Sequence, residues 1–161
     1  MMRIGVIMGY ISGFGTVCVT LTLGLAVLLT SAAATSSDNP ALELSVSGLR
    51  NTKGLVVVCL TANPKAFPDC RKDANAHTRL VAAAYAKNIH FAGVEPGTYA
   101  VSLIHDENGN GKLDVAVMIP NEGFGFSRNP VVTFGPPKFR SASFFVGNGD
   151  TSQSVKVKYM L

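Results

Sequence analysis

The residues with the most chemistry to offer sit in one run, His105-Asp106-Glu107-Asn108-Gly109-Asn110-Gly111-Lys112-Leu113-Asp114. Asp106, Asn108, Asn110, Gly111, Lys112 and Asp114 fit the first nine positions of a calcium-loop pattern. Calcium takes about six to eight oxygens, and alternate residues of a curled loop point inward. Asp106, Asn108 and Asn110 would supply side-chain oxygens, and Lys112 its carbonyl. Asp114 would ligate Ca²⁺ directly or through water, and Gly111 would allow the sharp turn. The pattern then breaks. Its twelfth position is Val117 where a bidentate Glu is expected, and no pair of helices flanks it. The run is therefore not an EF-hand, and Glu122 is the residue placed to fold back and complete a site. Two certain carboxylates would give weak binding, with a Kd of about 10⁻⁴–10⁻³ M. The same letters also spell a purely structural turn. Asn-Gly occurs at 108–109 and again at 110–111, and that dipeptide favours hairpin turns. From the sequence both readings stand.

His105 beside Asp106 and Glu107 invites a hydrolase reading. Adjacent strand residues point to opposite faces, so adjacency makes no dyad. Ser102 and Ser127 are hydroxyls without a nucleophile motif, and His77 and His90 have no ligand spacing with His105. The expectation is a non-enzymatic domain, with a small hydrolase using His105 and Glu107 as an alternative. Gly123-Phe124-Gly125-Phe126-Ser127 sets two aromatics among glycines. Exposed, Phe124 and Phe126 would stack on a sugar or a peptide. Buried, they would plug one end of the fold. A carbohydrate-binding module using these two rings is thus another alternative. The ligand-binding candidates are His105, Phe124 and Phe126.

These residues need a scaffold, and the start of the chain differs from the rest. Met1-Met2-Arg3 is basic, Ile4 to Leu29 carries no charge, and Ser31-Ala32-Ala33-Ala34 is small. That order describes an export signal of residues 1–34, cleaved after Ala34. An uncleaved membrane anchor at residues 4–29 is the alternative, because about 20 apolar residues span a bilayer. Cys18 is not read as a lipidation site, since the apolar run continues past it. Export to the periplasm or beyond would oxidise Cys59 and Cys70 to a disulfide, contributing about 3 kcal/mol in the chain-entropy model. A two-cysteine metal site is the rival, and His77 is its only nearby histidine.

Residues 35–41 read as a polar linker, and residues 42–161 as one domain. Beyond residue 34 the 13 Lys and Arg and 10 Asp and Glu are scattered, which argues against a nucleic-acid surface. Leu42, Leu44 and Val46 alternate with Glu43, Ser45 and Ser47, a half-buried strand. Asn51-Thr52-Lys53-Gly54 is a turn, and Leu55 to Leu60 reads as a strand buried on both faces. These two strands are expected to form a hairpin. Ala76 to Lys87 reads as either helix or strand. Further strands are expected around Ile89, at Thr98–Ile104, Val131–Phe134, Ser143–Val146 and Ser154–Tyr159. About seven short strands between Gly, Pro and Asn turns predict an all-β, Ig-like or prealbumin-like sandwich.

Phe91-Ala92-Gly93-Val94-Glu95-Pro96-Gly97-Thr98-Tyr99 resembles the turn-and-strand signature of prealbumin-like and surface-protein B-type modules. With Pro96–Val101, His105–Asp114 and Pro120-Asn121-Glu122-Gly123-Phe124-Gly125-Phe126-Ser127, the chain resembles the exported bacterial proteins grouped as domain of unknown function 2141. The likeness spans Leu42 to Leu161. It implies a signal peptide and one β-sandwich-like domain, and it brings no activity and no catalytic residues. The expected role is binding a ligand or a partner, either a protein or a glycan at the cell envelope. Membrane association is expected only if the first segment is retained.

Overall fold

The alternation at 42–47 does build a strand. In a computed structural model, β1 (Leu42–Ser47) turns Leu42, Leu44 and Val46 inward and Glu43, Ser45 and Ser47 outward. The structure describes residues 40–116 and 119–161. The signal or anchor segment, nearly all of the linker and Val117 lie outside the described residues. β2 (Leu55–Thr61), β3 (His77–Ala82), β4 (Asn88–Phe91) and the long β5 (Gly97–Asp106) follow. Next come two-residue strands β6 (Val115–Ala116) and β7 (Ile119–Pro120), then β8 (Gly123–Phe126), β9 (Phe144–Val146) and β10 (Thr151–Lys156). One helical turn, α1 (Phe139–Ala142), precedes β9.

The all-β class holds, with two main sheets. One runs β10-β1-β4, and β1 lies parallel to β10. The other runs β3-β2-β5-β8, with β9 joined to the start of β5. The expected hairpin between β1 and β2 does not form, because the two strands belong to different sheets. Their apolar sides meet face to face instead of edge to edge. Leu42, Leu44, Val46 and Val155 pack against Val56, Val58, Leu60 and Leu103, all buried. Each such side chain contributes about 1.5–3 kcal/mol by leaving water.

Two other segments differ from expectation or settle it. Residues 76–87 form β3 followed by a 3₁₀ turn, Ala83–Tyr85, so the alanines cap a strand and do not build a helix. Val131–Phe134 forms no strand. It lacks a ladder partner, and Val131 and Phe134 are 84% and 90% exposed. Cys59 and Cys70 are joined, with Cα atoms 5.6 Å apart. This disulfide fits a non-cytoplasmic location. Among the described residues, no helix is long and apolar enough to cross a membrane.

The β3-β2-β5-β8 sheet is covered unequally. Its inner face joins the core. There the pattern Gly123-x-Gly125 finds its use: an added Cβ would meet Val157 and Tyr159 at 2.6 Å from Gly123, and Val155 at 2.5 Å from Gly125. Only glycine lets β8 lie this close to the last strand. The outer face carries a smaller cluster of Ala100, Phe124, Phe126 and Ala142, packed with Phe67, Val132 and Phe139. Ser127, fully buried, ties that layer down by accepting from Val101 N at 2.9 Å and donating to the Ala142 carbonyl at 2.5 Å.

Candidate functional site

The loop after β5 is organised by two buried carboxylates. Asp106 accepts from the backbone N–H groups of Gly109, Asn110 and Gly111 at 2.6–3.0 Å. Glu122 does fold back onto the loop, as the sequence suggested. Its two oxygens accept from Glu107 N at 3.0 Å and Asp114 N at 3.1 Å, so one side chain clasps both ends of the loop. Asn108 and Asn110 make local turns by accepting from Asn110 N and Lys112 N. Gly111 sits at φ 80°, the left-handed region that glycine tolerates. The Asn110 and Asn108 amides also hold the Asp114 carboxyl below the usual carboxylate range. Among the described residues, no three His, Cys, Asp or Glu side chains converge as a metal-binding group.

His105 points the other way, into the core. It is fully buried, with Nε2 2.8 Å from the Lys53 carbonyl and Nδ1 2.7 Å from the Tyr159 hydroxyl. A carbonyl only accepts, so Nε2 carries hydrogen. In the neutral ring Nδ1 then accepts from Tyr159, whose oxygen accepts from Arg50 N. One ring nitrogen thus ties β5 to the turn before β2 and the other ties it to the C-terminal segment after β10. Burial pushes the Tyr159 hydroxyl above its ordinary value. Glu107 faces outward, where Arg50 grips it through Nε and a terminal nitrogen and the Asn51 amide donates to it. The Arg50 guanidinium holds the Glu107 carboxyl below the usual range. No hydrogen bond joins His105 to Glu107 among the described residues, and His105 is fully buried. His77 and His90 stand elsewhere, and His90 pairs with Glu43 across exposed strands.

The arrangement most able to receive a ligand is a groove on the outer face of the β2-β5-β8 sheet. Its floor is two cross-strand rows fixed by register. Val57, Ile104 and Phe124 form one row, and Cys59, Ser102 and Phe126 the other. One wall is the loop and the β6–β7 hairpin, through Lys112, Leu113, Val115, Ile119 and Pro120. Val132 to Pro136 and Pro68 to Arg71 complete the lining. The enclosed volume is about 690 Å³, within the range of small-molecule sites. Val115, Ile119, Phe134 and Met160 are 41–90% exposed around it.

The sequence-derived candidates thus separate. Phe124 and Phe126 reach the groove, although they are only 6% and 8% exposed and packed in an aromatic cluster with Phe67. They offer no open platform for stacking a sugar. Lys112 reaches the rim, while Asp106 and Glu122 serve the loop's own backbone. Sequence reading missed Val57, Ile104, Leu113 and Phe134. The signal for Val57 was present: the outward half of a strand read as buried on both faces must cover something. It also missed Arg50, Asn51 and Tyr159, which lie 54 to 57 positions away in the chain from the residues they hold and carry no local signal.

Fold and site together define an all-β sandwich with a second, half-covered apolar layer on one sheet. The chain belongs to the bacterial family described as "Uncharacterized protein conserved in bacteria (DUF2141)", whose sequence model matches residues 44–154. No curated protein and no solved structure matches it.

Proposed function

We propose that this domain binds an apolar small molecule in the outer-face groove, and that it works by binding and not by catalysis. One observation carries the reading: apolar side chains line a cavity of about 690 Å³ that the fold leaves open. A concave site of this size, mostly apolar with a few polar groups at its edge, has the character of small-molecule sites. The Cys59–Cys70 bridge supports the same reading, since both cysteines line the groove and tie its side segment to β2. That bridge and the signal-like residues 1–34 also support export to the periplasm or outside the cell.

Nile red, a neutral apolar dye, tests the groove. The purified protein is expected to bind it with a blue-shifted emission, and Ile104→Asp to abolish that signal while far-ultraviolet circular dichroism stays unchanged. Absent dye binding, or full binding by a folded Ile104→Asp protein, contradicts the reading.

A second reading, a weak Ca²⁺ site at the loop, is favoured by one arrangement. The Asp114 carboxylate is contacted by both the Asn108 and Asn110 amides, at 2.6–3.0 Å. Turning those amides over would present oxygens to the same point. Calcium at about 10 mM, above the weak-site range, would then raise the melting temperature. An unchanged melting temperature ends this reading and leaves the groove untouched.

A further inference from the structure

We propose that the groove takes a single acyl chain ending in a carboxylate, its chain along the outer sheet face and its head beside the Lys112 ammonium. This rests on the groove being the binding site. The charges at the groove decide the head. They are Asp69, Arg71 and Lys112. Arg71 forks onto Asp69 at 2.6–2.9 Å, so those two charges answer each other. Lys112 is different. Its backbone N–H donates to Asn110, and its ammonium has no hydrogen bond or ion pair among the described residues. Asp114 does not line the groove and its carboxylate is hydrogen-bonded by the two asparagine amides, so it feels the Lys112 charge through space without forming an ion pair with it.

The floor decides the tail. Five of its six residues are apolar or disulfide-bonded, and the sixth, Ser102, spends its hydroxyl on the Pro68 carbonyl at 2.6 Å. A ligand rich in hydroxyls would lose hydrogen bonds to water there without replacing them. An unbranched hydrocarbon loses none. A positive charge at the rim of an apolar trough, held in no direct ion pair and only partly answered by Asp114, is complementary to an anionic amphiphile and opposed to a cationic one. The chain's net charge of +4 adds a weak long-range attraction of the same sign.

An ion pair at an exposed rim contributes little, so the expected preference for the charged head is about two- to fivefold. The test is displacement of Nile red from the purified protein by dodecanoate, dodecanol and dodecyltrimethylammonium. Dodecanoate should compete best, dodecanol next and the cation last. The gap should close at about 1 M salt, where the screening length is about 3 Å. Lys112→Glu should reverse the order of the two ions. Equal competition by dodecanoate and dodecanol, or an unchanged order in Lys112→Glu, overturns the head-group assignment and leaves the groove reading standing. If Nile red binds but no amphiphile displaces it, the acyl-chain proposal fails alone. If Nile red does not bind, both fail.

Discussion

The two faces of the β2-β5-β8 sheet are built from alternate residues of the same three strands, yet they end in opposite states. The inner face is sealed: Val56, Val58, Val101 and Leu103 are at most 2% exposed, and Gly123 and Gly125 bring β8 against Val155 and Val157. The outer face is covered only in part, by Phe67, Val132 and Phe139, and stays open over Val57 and Ile104. The difference separates stability from binding along a single strand. Neighbours such as Leu103 and Ile104 belong to different tasks.

Substitution of those neighbours is the strongest way to break the comparison. Leu103→Ala should cost about 2–5 kcal/mol, the range for a buried leucine that leaves a cavity, and, because Leu103 borders the groove while its side chain packs in the core, should weaken Nile red binding less than Ile104→Ala does. Ile104→Ala should cost less in urea unfolding and weaken dye binding. Equal losses of stability would show that the faces are not distinct. Opening the disulfide comes next. The Cys59→Ser, Cys70→Ser double variant releases a loop of 11 residues' separation and should lose about 3 kcal/mol. Because both sulfurs line the groove, dye binding should weaken as well, and unchanged binding would place the bridge outside the site.

A smaller effect is expected from the loop. Asp106→Asn keeps the shape and removes the charge from an acceptor of three backbone N–H groups, at a cost of about 1–3 kcal/mol. Amide exchange at Gly109, Asn110 and Gly111 should accelerate while that of Val58 does not. Protection that survives at those three residues would contradict Asp106 as the loop's organiser. The smallest effect is on pH. Glu107, Asp69 and Asp114 are held below their ordinary values by Arg50, by Arg71 and by the Asn110 and Asn108 amides respectively. Carboxyls with depressed pKa contribute stability above the unfolded value, about 4, and lose it as pH falls through the folded values. The urea midpoint should hold from about pH 7 to 5 and decline below about 4. Glu107→Gln should make that decline shallower, and an identical decline would exclude its pairing with Arg50.

The strand was legible where one face meets water, as at Leu42–Ser47, because period two records that asymmetry. The Cys59–Cys70 pairing was also legible. Strand partners were not. Alternation reports which side is buried and is silent on whether the neighbour lies beside or across, so β1 and β2 read as a hairpin. Val131–Phe134 misled for a related reason, since its apolar composition serves a groove wall and not a ladder. His105 shared a polar run with Asp106 and Glu107, and only the parity of β5 sends it to Tyr159 and Lys53.

The central claim, that the outer face and not the inner one receives a ligand, is tested most directly by methyl-resolved NMR during a dodecanoate titration. Methyl signals of Val57, Ile104, Leu113 and Val115 should move with added dodecanoate, while those of Leu44, Val56, Val58 and Leu60 stay fixed. Perturbation confined to the inner set, or none in the outer set at saturating dodecanoate, would contradict it.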